Sequence, residues 1–120
     1  MARVLIVDDS GFTRRTHRRM LETAGHVVVE AMSGMEALES YAMDRPDLVL
    51  LDLTMADMTG LEVIDRLKEF DASARVLVIS ADVQRTTRDL VLGSGARDFL
   101  AKPVAADVLA ETVRTLLLDA

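Results

Sequence analysis

The chain of 120 residues has no cysteine and no tryptophan, and aromatic residues make up only 3% of it. Without cysteine there is no disulfide framework, no thiolate metal site and no thiol nucleophile. The aromatics are Phe12, Tyr41, Phe70 and Phe99, too few for a site that stacks a flavin or nucleobases. Positive charge is also scarce: 14 Lys and Arg against 20 Asp and Glu leave a net charge of −6. That balance disfavours direct nucleic-acid binding. No apolar run approaches the ~18 residues of a membrane helix, so no membrane partner is expected. The N-terminal residues show no signal-peptide pattern, and the expected location is the cytoplasm.

What the chain does have is apolar residues, half of the total, enough for the core of one domain. They gather in five short runs: Val4–Val7, Val27–Ala31, Leu48–Leu51, Val76–Ile79 and Phe99–Ala101. Several are continuous rather than alternating, which suits strands covered on both faces of a parallel sheet. Between them lie segments of helical period. Met35, Leu38, Tyr41 and Ala42 form one stripe; Gly60, Val63, Ile64 and Leu67 another; Val108, Leu109, Thr112, Val113, Leu116 and Leu117 a third. Ser33 with Glu36 and Thr59 with Glu62 have capping-box spacing. Gly25 stops the first helix, Pro46 separates the second helix from the third strand, and Gly93 and Gly95 break the fourth helix. The expectation is an α/β domain over residues 1–120 with no output domain. It is a flavodoxin-like (βα)5 doubly wound five-stranded parallel sheet. The strand order 2-1-3-4-5 is borrowed from known folds of this class, and it places ligands at the carboxyl ends of the strands.

Those ends carry the chemistry. Strand 1 runs into Asp8 and Asp9, strand 3 into Asp52, strand 4 into Ser80 and strand 5 into Lys102, while the outlying strand 2 ends uncharged at Ala31 and Met32. Three carboxylates brought together repel, and at least one pKa rises unless a cation is present. Oxygen ligands alone favour Mg2+. His17 and His26 lie on or near a helix rather than at strand ends, so zinc is poorly supplied. An aspartate can act as a nucleophile toward phosphorus, in a transfer that needs charge neutralisation and positioning. Asp52 is central and is the expected nucleophile, with Asp8 and Asp9 holding the metal, Lys102 adding positive charge and Ser80 donating a hydrogen bond.

The motifs VLIVDDS, LVLLDLTMADMTGLEV, VLVISAD and DFLAKP, in this order, resemble the receiver domain of two-component response regulators over essentially the whole chain. The resemblance implies that Asp52 accepts a phosphoryl group from a sensor histidine kinase or phosphotransfer protein. It implies an Mg2+ site formed by Asp8, Asp9, Asp52 and the backbone carbonyl of Thr54. Ser80 falls at the family's switch hydroxyl and Phe99 at its switch aromatic, which turns inward on activation. Lys102 matches the family's lysine, with a cis peptide to Pro103. Thr54 and Asp82 fall where the family tunes its dephosphorylation rate. A downstream effector would read a face made by helix 4, strand 5 and helix 5. The domain would assist its own phosphorylation and dephosphorylation without being a turnover enzyme. One departure stands out: Met55 is followed by Ala56 rather than proline, which loosens the unfolded-state restraint on that loop.

Several residues carry plainer expectations. Ser10 is an N-cap, and Asp82 either tunes the rate or caps the fourth helix. Arg14, Arg15, Arg18 and Arg19 are a solvated face that could dock a kinase. His17 is a surface residue, His26 a turn residue, and the seven methionines mostly core filler. The fourth helix is weakly packed and able to move. Leu116, Leu117 and Leu118 either finish the core stripe or add a homodimer patch. The rival expectations are an Mg2+-dependent aspartyl-phosphate phosphohydrolase, a flavin binder, a receiver that signals without phosphorylation, and a receiver excised from a longer regulator. The hydrolase would want an acid where Thr54 stands, and the flavin binder a phosphate loop where two acids stand.

Overall fold

The computed structural model describes residues 2–118. The strands are β1 (Arg3–Val7), β2 (Val27–Ala31), β3 (Leu48–Asp52), β4 (Val76–Ser80) and β5 (Asp98–Ala101). They alternate with helices α1 (Gly11–Thr23), α2 (Gly34–Asp44), α3 (Gly60–Phe70), α4 (Arg85–Gly93) and α5 (Ala106–Leu118). All pairings are parallel, and the sheet order is β2-β1-β3-β4-β5, as expected. β1 and β3 are neighbours although a whole βα unit separates them in sequence, so the connections diverge there and leave a crevice at the strand ends.

The continuous apolar runs are explained by period-2 alternation between two covered faces. Leu5, Val7, Val49, Leu51, Val76 and Val78 point to one side, into a cluster with Ala37 and Tyr41 of α2, Val63, Ile64 and Leu67 of α3 and Val91 of α4. Val4, Ile6, Leu48, Leu50, Leu77 and Ile79 point to the other, against Leu21 of α1 and Leu109, Val113 and Leu116 of α5. The same alternation sorts the strand-end residues. Asp8, Asp52 and Lys102 share parity with the α1–α5 face, whereas Ser80 shares it with the α2–α3–α4 face. One crevice thus receives the charges from one side and the hydroxyl from the other.

Two details of the core differ from expectation, in α2 and in the methionines, while the C-terminal leucines finish the core stripe. The buried face of α2 is Gly34, Ala37 and Tyr41, whereas Met35 and Ala42 are exposed; the small Ala37 carries the contact that the bulkier Met35 promised. Methionine is not mainly core filler. Met32, Met35 and Met43 are exposed and Met20, Met55 and Met58 partly buried against the core, and Met1 lies outside the described residues. Of the three C-terminal leucines, Leu116 is buried, Leu117 partly buried and Leu118 exposed. α4 matches its weak stripe: Val91 is its one buried residue, and its N-cap, Gln84, makes no side-chain cap bond.

Gly60 shows how tightly the β3–α3 connection folds back. A Cβ there would lie 2.8 Å from the Leu53 Cα, while its own N–H donates to the Leu53 carbonyl at 3.2 Å. The loop that follows Asp52 is therefore closed at its base by a glycine that admits no side chain.

Candidate functional site

β1 extends its ladder one residue beyond the strand, the Asp8 N–H donating to the Ala31 carbonyl at 3.1 Å. That bond sets the Asp8 carboxylate at the crevice mouth, 2% exposed, where its Oδ1 accepts the Ser10 N–H at 2.9 Å. Ser10 in turn is the N-cap of α1, its Oγ accepting from the Thr13 N–H at 3.3 Å. Asp52 ends β3 beside it, 8% exposed, and Asp9 completes the group from the solvent side. One carboxylate oxygen from each of Asp8, Asp9 and Asp52 lies within 4.8 Å of the others.

The counter-charge is Lys102, brought in as β5 continues past its end, its N–H donating to the Ser80 carbonyl at 2.9 Å. Its Nζ lies 2.9 Å from Asp8 Oδ2 and 3.3 Å from Asp52 Oδ1. The Lys102–Pro103 peptide is cis. Burial pushes the Asp52 carboxyl above its ordinary range, and the Asp8 charge adds to this; Lys102 and the Thr54 N–H pull the other way without cancelling it. Burial lowers the Lys102 pKa, but its hydrogen bond to Asp8 and the charges of Asp52 and Asp8 outweigh burial, and the ammonium ends above its usual value. The site is thus an excess of negative charge held around one cation.

Ser80, 2% exposed, accepts the Asp82 N–H on its Oγ at 3.0 Å. Asp82 is not the N-cap of α4. Its carboxylate accepts the Gln84 N–H at 3.0 Å and the Thr87 hydroxyl at 2.8 Å, linking Ser80 to the first turn of α4. A cleft of about 280 Å3 opens beside them, lined by Thr54, Ser80, Asp82, Thr87, Leu90 and Val91 among others. Thr54 stands exposed in the loop after Asp52. Phe99 is buried at 6% exposure in the same cluster as Val91.

Two expectations are corrected around α1. His17 is not a surface residue: it is 5% exposed. α1 has few apolar residues, and the one a turn before Leu21 on its inner face is His17. Burial lowers its pKa below the ordinary histidine value, with the Lys102 charge acting the same way and Asp8 opposing. The arginines are not one solvated face either. Arg14 donates from Nη1 to the Asp8 carbonyl at 2.7 Å and from Nε to Glu30 Oε1 at 2.9 Å. Arg18 reaches the other Glu30 oxygen at 2.7 Å, and Arg15 and Arg19 remain exposed. An acid inside the strand VVVEA, opposite arginines four residues apart on a helix, is the signal that marked this network. His26 sits at the end of its turn and accepts the Ala2 N–H at 3.3 Å.

No helix among the described residues is long and apolar enough to cross a membrane. The family model described as "Response regulator receiver domain" matches residues 4–114. The chemotaxis protein CheY of Bacillus subtilis is 39% identical over 116 residues, 96% of this chain and 97% of its own length. The response regulator MprA of Mycobacterium ulcerans is 40% identical over 115 residues, 96% of this chain and 50% of its own length. Among solved structures, a chain of the CheX–CheY–BeF3–Mg2+ complex from Borrelia burgdorferi superposes with a TM-score of 0.91 at 33% identity, covering 95% of this chain and 87% of that one. Receiver domains of this kind are signalling switches rather than turnover enzymes, and the chain belongs to the response regulator receiver domain family.

Proposed function

We propose that this domain is a phosphorylation-operated switch whose phosphoacceptor is Asp52. A carboxylate oxygen of Asp52 attacks the phosphorus of a phosphohistidine on a sensor kinase or phosphotransfer protein. The N–P bond breaks, an acyl phosphate forms, and the histidine leaves with its electron pair. The observation that carries this reading is the placement of Lys102 Nζ against both Asp8 and Asp52. A cation already seated on the nucleophile's oxygen can follow the charge onto the incoming phosphoryl group.

The donor set suits a hard divalent cation. It offers three carboxylates within 4.8 Å of one another, and all the donors are oxygen, as Mg2+ prefers. Asp8, Asp9, Asp52 and the Thr54 carbonyl would hold it, and when bound it neutralises the phosphoryl oxygens. The chain's own groups do the rest. Arg14 and the Ser10 N–H fix the backbone and carboxylate of Asp8. Ser80 swings toward a phosphoryl oxygen, to which its O–H donates a hydrogen bond, and in moving its Oγ leaves the Asp82 N–H. Because Asp82 also holds Gln84 and Thr87, that exchange loosens the start of α4. Phe99, packed beside Val91, lines the inner wall of the element that shifts. The altered face of α4, β5 and α5 is then read by an effector protein. Thr54 and Asp82 flank the acceptor and set how readily water reaches the acyl phosphate.

On this reading the domain works in the cytoplasm, as chemotaxis-type regulators do. The test is incubation with Mg2+ and acetyl phosphate followed by intact-mass measurement. The expected result is one added phosphoryl group, dependent on Mg2+ and absent in Asp52→Asn. Folded, metal-supplied protein that gains no mass would overturn the proposal, and continuous phosphate release from many substrates would favour a hydrolase instead.

A further inference from the structure

The loop that would present the Thr54 carbonyl, residues 53–59, has no secondary structure of its own. Its geometry is imposed from outside. At its base the Gly60 N–H closes on the Leu53 carbonyl. At its tip the Asp57 carboxylate reaches across to α2, where Oδ1 accepts the Gly34 N–H and Oδ2 the Met35 N–H, each at 2.9 Å. Both oxygens of one side chain are thereby spent on the first free N–H groups of a different helix. Those two N–H groups, Met35 first and then Gly34, hold the Asp57 carboxyl below its ordinary range.

The contact is built rather than incidental. α2 already has its own cap, Ser33 Oγ accepting the Glu36 N–H at 3.1 Å, so Asp57 fills positions the local cap leaves open. Beside it the Met58 side chain occupies the space a Cβ at residue 34 would need, and glycine there lets the loop lie against the helix. Residue 56, next to the clamp, is alanine, which leaves the backbone torsions free. Leu53, Met55 and Met58 pack the loop against the core, and the carboxylate bridge is the polar tie that fixes its tip to α2.

Resting on the functional reading above, we infer that Asp57 is a positioning residue for the metal site: by pinning the β3–α3 loop to the N-terminus of α2, it presets the Thr54 carbonyl. The physical reason is the strictness of Mg2+, which demands near-octahedral geometry at short distance. A loop that wanders must be ordered when the ion binds, and that entropy is subtracted from affinity. Groups that orient ligands without touching the metal commonly change affinity by tenfold or more.

The experiment is calorimetric titration of the whole domain with MgCl2. Asp57→Ala is expected to weaken Mg2+ binding roughly tenfold. Ala56→Pro added to that variant should recover most of the loss, because it restricts the loop without restoring the charge. Ser33→Ala is the control: it removes a cap from the same helix and lowers the Tm, but leaves Mg2+ affinity unchanged. In acetyl phosphate labelling, Asp57→Ala should raise the Mg2+ concentration for half-maximal rate while keeping the rate at saturating Mg2+. Wild-type affinity in Asp57→Ala overturns the proposal, as does an equal loss in Ser33→Ala. Failure of the proline to restore binding also overturns it, since the loss would then belong to the missing charge. If the wild-type protein itself takes up no Mg2+, the functional reading falls first and this proposal with it.

Discussion

Replacing Asp52 by asparagine should stabilise the metal-free domain, against the usual direction for a buried residue. At an effective dielectric of about 20, unit charges 4.8 Å apart, the span of the acid cluster, repel by about 3.5 kcal/mol. Asp8 exerts that on Asp52 in full; the exposed Asp9 is screened toward about 1 kcal/mol. Lys102 Nζ at 3.3 Å returns about 5 kcal/mol of attraction. Charge against charge is near balance, and the burial of Asp52 then tips the sum against its ionised form, in line with its raised pKa. Removing one member of a buried pair ordinarily costs about 3–5 kcal/mol because a charge is orphaned, but here Lys102 keeps Asp8 at 2.9 Å. The expected gain for Asp52→Asn at pH 7 is about 1–2 kcal/mol, a Tm rise on the order of 5 °C. A carboxyl raised in the folded state contributes stability below its unfolded pKa of about 3.9 and loses it as pH rises through the folded value. The gap between variant and wild type should therefore shrink as pH falls from 7 toward 4. Added Mg2+ should reverse the order, because the wild type keeps all three carboxylates for a ligand that binds only the folded state. Urea melts across pH, with and without Mg2+, decide it. A variant no more stable than wild type at pH 7 without metal, or a gap indifferent to pH, would refute the charge argument.

Lys102→Met leaves the acids uncompensated and should destabilise by about 3–5 kcal/mol at pH 7; denaturant melts across pH should show the loss shrinking as pH falls, because Asp52, whose carboxyl already lies above its ordinary range, protonates more readily without the lysine. Gly60→Ala drives a Cβ to 2.8 Å from the Leu53 backbone, which its own hydrogen bond to Leu53 prevents from retreating; a loss of about 1–3 kcal/mol is expected, read as a lower urea midpoint. His17 acts in the opposite sense to Asp52. Its folded pKa is depressed, so its stabilisation is present above the unfolded value near 6.5 and is lost as pH falls below it. The thermal midpoint of His17→Leu should fall less than wild type between pH 7.5 and 5.5.

Strand positions, their parallel sense and the placement of Asp8, Asp52, Ser80 and Lys102 at strand ends were legible in the sequence because they follow from short-period rules, whereas the strand order that brings those ends together was borrowed from known folds of this class. A fully apolar run flanked by helical segments admits one kind of sheet, and strand ends in such a sheet converge. Residues whose role depends on a helix's rotation about its own axis were harder to place. α2 turned on Ala37 rather than Met35, since a small residue carries a weak hydrophobic signal yet permits close packing. Side-chain pairings between distant elements, such as Asp57 with Gly34 and Met35, leave no period at all; only the finished fold brings them together.

His17 shows why charge type misleads at such positions. In a segment reading GFTRRTHRRMLET, a histidine among four arginines looks like one more solvated group. Yet an amphipathic helix must bury something on every turn that faces the sheet, and the arginines, permanently charged, cannot serve. Histidine is the residue in that stretch that can shed its charge, so burial selects it and its pKa falls accordingly. Its neutrality matters to the site: a second fixed cation beside Lys102 would offset the carboxylate cluster and weaken its pull on a divalent ion. Keeping α1's inner face uncharged at position 17, while Arg14 meets Asp8 through its backbone carbonyl and spends its charge on Glu30, leaves the acids short of positive charge, which on the proposed reading a divalent cation would supply.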